Sequence, residues 1–487
     1  MSKISLPIAE LKPALIGLGK VINKRCTLPV LTHIKIERTK DGWVALTGTD
    51  LDSFVTVRLE QPSDGEPLSL LVPYDELLKT TKNCQKTDTV AIRTGENLSE
   101  LSVTVEYPVG QQTAEAKMTS LPVVEFPEIP RIKGEPVPVN DAVRQSIHEA
   151  FDCASTDETR LILNSAFIDV SKDEGHYIVG TNGSILFSSN SFKLPMKECF
   201  VLPSHKFFGW KEFNNDGEWQ LKLATPEHKD DTPWFQIASR RWRFIGRQID
   251  GAYPNWRQVV PGESQFTSSV QFDEIDTLAD TIDRLPDYDP VNHAIGIEKN
   301  DNTVNLLWKP EKDHEWKRLS VTVHQLTGDD IAIFLNRHYL TKALRFGLSR
   351  LGCIDPMSPV KFSHEGRQMI VMPVRAESTP TAASQAQETP SQQPAAPSPA
   401  ANEERTPMVN DTNTNGTSKP AEPITIDAQL GAIIIDAEAL RTTVQDTLGE
   451  VSVLCKKLKT FQREHKSSTK DLQSVRQTLE KLQNVRL

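Results

Sequence analysis

Paired cysteines are missing from this 487-residue chain. Its six cysteines (Cys26, Cys84, Cys153, Cys199, Cys353, Cys455) are scattered, with no CxxC pair. That argues against a disulfide framework or a cysteine zinc site and predicts reduced thiols in a cytosolic protein. Long apolar runs are missing too. Ala432-Ile433-Ile434-Ile435, the tightest apolar cluster towards the C-terminal end, is far too short to cross a bilayer. No apolar stretch follows a basic start, so no signal peptide is expected. Catalytic signatures are absent as well. His148-Glu149, His314-Glu315 and His364-Glu365 do not extend to HExxH, and Gly17-Leu18-Gly19-Lys20-Val21 lacks the spacing and the Ser/Thr of a P-loop. No Gly-x-Ser-x-Gly elbow occurs. A non-enzyme without metal or cofactor is the expectation.

What is present fits a soluble chain of three or four domains, 38% hydrophobic and 25% charged. The net charge of −10 excludes an overall basic coat, yet nucleic-acid binding depends on local stripes more than on the sum. Charge is uneven: residues 456–486 carry +6, leaving −16 for the remainder.

A pattern recurs three times. Amphipathic helix signals open at residues 8, 140 and 272, spaced 132 residues apart both times. Asn140 and Asp273 stand as N-caps. Each helix is followed by alternating strands (33–50, 165–183, 294–309) joined by polar turns. A second helix is then expected after Leu71-Val72-Pro73-Tyr74, Val201-Leu202-Pro203-Ser204 and Phe334-Leu335-Asn336-Arg337. The fold class is therefore α+β: three tandem domains at 1–130, 135–262 and 265–375, each with two helices on antiparallel sheet. Three similar domains in a row can form an arc, and two arcs can close a ring by two-fold pairing.

Those segments resemble the bacterial DNA polymerase III β subunit, the β sliding clamp, across residues 1–375. The specific stretches are RCTLPVLTHIKIE and LTGTDLD, TRLILNSAFIDV and VGTNGSILF, IDGAYPNWRQVVP, FLNRHYLTKAL and the closing IVMPVR. The resemblance implies a non-catalytic processivity factor, a homodimeric ring that encircles duplex DNA and tethers the polymerase III catalytic subunit and the clamp loader. A clamp-derived scaffold that no longer encircles DNA is the alternative. Sliding needs phosphate contacts without base readout. The candidate DNA-facing residues are Arg25 first, then Lys24, Lys20, Lys79, Lys82, Arg144, Lys206 and Arg345, with Lys12, Lys86, Lys211, Arg337, Lys342 and Arg350 on the same expected helices. The stretch 272–287 departs from this, with Asp273, Glu274, Asp276, Asp280 and Asp283 against Arg284.

The resemblance also implies an apolar cleft for partner peptides between the second and third domains. Its lining would be Leu163, Thr181, Gly183, Leu186, Pro254 and Val259, with Tyr339, Val360, Ile370, Met372, Pro373, Val374 and Arg375. Gly183-Ser184-Ile185-Leu186 stands where the family often has Gly-His-Arg-Leu. Leu161-Ile162 replaces a usual tyrosine pair and Gln258 an arginine, the pattern of a divergent clamp.

Typical clamps stop near the closing MPMRL-like motif. Here residues 376–424 are rich in Pro, Ala, Ser, Thr and Gln, which predicts a disordered linker. Residues 425–487 carry Leu440, Val444, Leu448, Val451, Cys455 and Leu458, then Leu472, Val475, Leu479 and Leu482. That seam spacing predicts a basic, coiled-coil-like helical tail that pairs with itself, with a partner, or through its charge with DNA.

Overall fold

The computed structural model describes residues 3–94, 101–157, 159–172, 175–224, 233–249, 251–312 and 314–375. The expected linker and coiled-coil tail lie outside the described residues.

In each of the three repeats an amphipathic helix follows a short opening strand (Lys3–Pro7, Val137–Val139, Ser268–Phe272): α1 (Ile8–Leu18), α3 (Asp141–Cys153) and α5 (Ile275–Arg284). In α1 the buried face is Ile8, Leu11, Leu15 and Leu18, the three-and-four spacing that keeps one stripe of a helix on the core. The second helices are α2 (Tyr74–Thr81), α4 (Lys211–Asn214) and α6 (Arg337–Arg345). Asn140 caps α3 as expected, its side chain accepting from the Val143 N–H at 3.0 Å.

Two local expectations fail. Asp273 does not cap α5: the capping position is Glu274, in the left-handed region at φ 43° and without a side-chain cap bond. The Asp273 side chain instead accepts from the adjacent Glu274 N–H at 3.1 Å, while its own N–H bonds the Thr322 carbonyl at 3.2 Å, so the chain turns one residue later. The second repeat also lacks a helix from residue 204. Residues 206–209 form turns, and α4 is a single four-residue turn. Phe207, Phe208, Trp210 and Phe213 are all buried. At 3.6 residues per turn they span more than half a helix circumference, so a helix there would leave at least one ring in water.

Among the described residues all strand pairing is antiparallel, in four sheets. The first is Lys3–Pro7, Thr89–Thr94, Ser102–Val109 and Gln112–Thr119 in spatial order. The second has eight strands and spans the first two repeats, joined where Ser53–Arg58 pairs with Trp242–Arg247. The third has nine strands and spans the second and third repeats, joined where Ile185–Ser189 pairs with Arg367–Val371. The fourth is Lys317–Val321, Thr303–Trp308, Ala294–Asn300 and Ile331–Asn336. In both junctions the last strand of one repeat docks on the third strand of the preceding repeat's meander.

Helices pack on one face of these sheets, and the first junction is sealed by aromatic rings. A Cβ at Gly17 of α1 would sit 2.4 Å from Trp242 and 2.5 Å from Trp210. Only glycine lets α1 lie against those indoles, which meet edge to face at 4.9 Å. Gly17→Ala is expected to destabilise the protein by about 1–3 kcal/mol through overpacking, against a helix-propensity gain of up to about 1 kcal/mol. Chemical denaturation followed by tryptophan fluorescence reads the difference.

Candidate partner cleft and basic helix surface

The second junction builds an apolar site because its sheet has two faces. In the strands at this seam, Ile178, Ile185, Phe187, Met369 and Val371 point into the main core. Their alternates Val179, Leu186 and Ile370 form a separate cluster with Trp256 on the opposite face, flanked by Phe167, Tyr177, Tyr253 and Val260. Leu186 and Ile370 are direct cross-strand partners, so the floor of this site is stitched from two repeats. Past the strand, the Met372 N–H bonds the Ser184 carbonyl at 3.0 Å and the Val374 N–H bonds the Phe334 carbonyl at 2.8 Å. Pro373 falls between these two donors, where its missing N–H leaves no bond unmade. The chain therefore stays pinned to both repeats until it leaves at Arg375.

The expected cleft residues divide by position. Thr181, Leu186 and Ile370 are buried at the floor. Met372 and Val259 are about half exposed, at 44% and 51%, and Pro254 and Gly183 are exposed at the rim. Leu163, Tyr339, Pro373 and Val374 are half-buried, and Arg375 is exposed. Tyr339 Oη accepts from Asn182 Nδ2 at 3.4 Å. Thr181 Oγ1 donates to the Ile185 carbonyl at 2.5 Å and accepts from the Gly183 N–H at 3.1 Å. Gly183 sits at φ 94° in that turn, a conformation other residues rarely adopt. Val360 is corrected: it is fully buried in the main core, opposite Val371 on the helix-covered face, because strand alternation turns it away from Ile370.

Sequence reasoning missed Val179, Trp256, Phe167, Tyr177 and Tyr253. The alternation of Tyr177-Ile178-Val179 held a signal for Val179. Tyr253 and Trp256 were visible only as part of a closing motif. Phe167 and Tyr253 stack at 4.6 Å with rings 11° from parallel. The segment 251–260 is held over this face by Asp169. Its carboxylate accepts from Trp256 Nε1 at 2.9 Å, from Arg257, and from Ser171 Oγ at 2.6 Å. Arg257 also lies 4.5 Å over the Trp256 ring. Burial works against the Asp169 carboxylate, but the hydrogen bonds from Ser171, Trp256 and Arg257 outweigh it and hold the pKa at about 2.

On the helix-covered face of the same seam, Arg367 pairs with Glu149 of α3, with Nε–Oε2 at 3.1 Å. Burial pushes the Glu149 carboxyl above its usual range against those bonds.

The basic residues divide as sharply. Among the described residues, Lys20, Arg25, Lys79, Lys82, Lys86, Lys206 and Lys211 make no ion pair, and all but the half-buried Lys20 are exposed. Lys24 pairs with Asp75 at 2.7 Å. Arg144 is bound to Asp141 at 2.6 Å and to the Asn214 carbonyl at 2.9 Å. Lys12 caps the carbonyls of Lys82 and Cys84, and Lys342 donates to the Asp152 carbonyl. Arg345 meets Asp283 at 2.5 Å and Asp280 at 3.9 Å, so two of the unexpected acids of α5 are engaged by α6. Lys206 lies in a turn, since its helix is absent. Arg337 is corrected: it is buried, its guanidinium holding the Ile282 and Leu285 carbonyls at the end of α5. Arg350 begins a strand and sits 3.7 Å from Glu263.

Tandem α+β repeats that share their sheets, with an apolar cluster at one seam and, among the described residues, unpaired cations on or near the helices, define a clamp-type fold. Residues 6–130 match the family described as DNA polymerase III beta subunit, N-terminal domain. The Beta sliding clamp of Bacillus subtilis strain 168 is 22% identical over 379 residues, spanning 73% of this chain and 95% of that protein. That of Staphylococcus aureus strain Mu50 is 21% identical over 350 residues, spanning 67% and 85%. A crystal structure of the DNA polymerase III subunit beta from Pseudomonas aeruginosa superposes with a TM-score of 0.65 at 19% identity, over 77% of this chain and all of that one. The beta subunit structure from Streptococcus pyogenes gives 0.66 at 18% identity, with the same coverage of both chains. Taken together, these similarities indicate a divergent bacterial β sliding clamp.

Asp169→Asn tests how the cleft wall is held. With its folded pKa depressed from 3.8 to about 2, Asp169 contributes stability above pH 4 that is lost as pH falls towards 2. The substitution is expected to cost about 2–3 kcal/mol at pH 7. The gap between wild type and variant in urea unfolding should close below pH 3.

Proposed function

We propose that this chain is a DNA polymerase processivity factor: two copies close head to tail into a ring around duplex DNA, and the cleft holds partner peptides. The observation that carries the reading is the rule of the two internal junctions, in which the last strand of a repeat docks on the third meander strand of the repeat before it. The rule leaves two strands unmatched within one chain, Gln112–Thr119 at one end and Lys317–Val321 at the other. Both are largely exposed. Pairing the first with the second of another copy repeats the junction and completes an eight-stranded sheet twice in a two-fold ring. An open strand edge is otherwise a liability.

The unpaired cations on or near α1, α2 and α4 supply diffuse positive charge suited to phosphate without base readout. The apolar floor of Leu186, Ile370 and Val179, with Met372 at its rim, suits short linear peptides from the polymerase catalytic subunit and the clamp loader. Tethering through it raises the polymerase's effective concentration at the primer end. The scaffold alternative gains no support, since both docking edges persist and α5 acids are partly neutralised by Arg345.

Loading the protein on nicked circular DNA with a clamp loader tests the ring. Complexes are expected to survive high salt and to be lost on linearisation; salt-sensitive retention that is indifferent to linearisation would falsify encirclement. Glu115→Pro, which removes an N–H that faces the open edge, is expected to halve the mass seen by light scattering towards the 54.4 kDa monomer and to abolish salt-stable loading.

A further inference from the structure

Three side chains from separate stretches converge at the start of α6, outside the cleft. Asp287 follows α5, His293 precedes the strand Ala294–Asn300, and His338 lies in the first turn of α6. One ligand atom from each lies within 4.8 Å of the other two. We propose that Asp287, His293 and His338 form a binding site for a late first-row divalent cation, Zn²⁺ above all, with water completing a four-coordinate shell.

Donor chemistry selects the metal. Two imidazoles and one carboxylate suit Zn²⁺, Co²⁺, Ni²⁺ or Cu²⁺, whereas Mg²⁺ and Ca²⁺ want an oxygen cage that these residues do not make. The geometry is within reach of coordination. His293 Nδ1 and Asp287 Oδ2 are 2.5 Å apart in a direct hydrogen bond, and the His293 and His338 rings meet at 4.6 Å between centroids. Tetrahedral zinc with bonds of about 2.0–2.1 Å sets its ligands about 3.3 Å apart. That separation lies between the shortest and longest spacings here, so small side-chain rotations suffice. Both His293 and Asp287 keep 31% of their side-chain surface, which leaves a path for the ion and a place for the water.

The backbone holds all three donors in place. The His293 N–H bonds the Asp289 carbonyl and the His293 carbonyl accepts from the Arg337 N–H, each at 2.8 Å. Asp289 Oδ1 accepts from Val291 and Asn292, both at 3.0 Å. Asn336 caps α6 by accepting from the His338 N–H at 2.9 Å. His293 itself is left-handed, at φ 50°, a conformation that costs a β-carbon residue energy and directs this ring towards the other two. A bound ion would cross-link the segment after α5 to the start of α6, adding to the tie that the buried Arg337 makes to the Ile282 and Leu285 carbonyls. The absence of any CxxC or HExxH said nothing about this set, whose members stand 6 and 45 residues apart in sequence.

The test uses the full chain freed of metal by chelation, with ZnCl₂ as the probe, comparing wild type with His293→Asn and His338→Ala. Asparagine tolerates the left-handed backbone, and His338 is exposed, so both variants should keep the wild-type circular dichroism spectrum. Wild type is expected to retain one more Zn²⁺ per chain after dialysis than the double variant. Each single variant should bind at that site at least tenfold more weakly by calorimetry, and Co²⁺ should give wild type a visible d–d band that the double variant lacks. Equal zinc content in wild type and double variant, or none in wild type at tenfold excess, overturns the site. If the double variant loses structure, Asp287→Asn alone decides: a tenfold loss of affinity supports the site and unchanged affinity overturns it.

Discussion

Every backbone N–H and C=O on a strand edge must find a partner or meet water, and the architecture follows from how this chain meets that requirement. Two of its edges are closed internally, Ser53–Arg58 by Trp242–Arg247 and Ile185–Ser189 by Arg367–Val371. Each closure makes one sheet out of two repeats, so neither repeat ends where its neighbour begins. The side chains then reinforce what the backbone has joined: Gly17 admits the indoles of Trp210 and Trp242 at the first seam, and the Glu149–Arg367 pair ties α3 to the second.

The cleft is a by-product of that same closure. A seam sheet covered by helices on one face must do something with the alternate side chains on the other. At the second seam those are Val179, Leu186 and Ile370, too apolar to stand in water and buried under neighbouring side chains that include Tyr253 and Trp256. Asp169 supports that cover from beneath, since a single carboxylate holds Trp256, Arg257 and Ser171 at once. Site and scaffold are therefore not separable: loosening the Leu186–Ile370 pairing would open the junction and the cleft floor together.

Much of this was legible in sequence where period and turn chemistry agreed. The 132-residue recurrence, the Asn140 cap and the hairpins at 33–50, 165–183 and 294–309 follow from local rules that tertiary packing did not override. The misses share a cause. The helix expected from residue 204 yielded to four aromatic rings that needed burial in several directions, and Asp273 lost its cap to one more backbone hydrogen bond. Val360 went astray because a one-residue step along a strand exchanges core for surface. Which cations are paired was legible only for Arg144, whose partner Asp141 is its i,i+3 neighbour on α3; Asp75 and Asp283 reach Lys24 and Arg345 only through the fold.

Those pairings bear on how a clamp of net charge −10 would hold DNA and still move. Lys24 and Asp75 are each about half exposed, at 50% and 46% of their side-chain surface, and Arg345 and Asp283 are similar at 56% and 40%. Exposed pairs of this kind contribute only about 0–1 kcal/mol, so a passing phosphate can take the cation from its carboxylate at little net cost. Arg144 differs, with its side chain 19% exposed and bonded to two backbone carbonyls, and its release would cost structure. On the proposed reading the surface is graded: permanently free cations at Arg25, Lys79 and Lys82, exchangeable ones at Lys24 and Arg345, and a structural one at Arg144. Such grading flattens the energy along the duplex, since a phosphate that departs is replaced by a carboxylate already waiting beside the cation. A ring held closed by strand edges has no need of tight phosphate contacts for retention, which leaves its basic surface free to be weak.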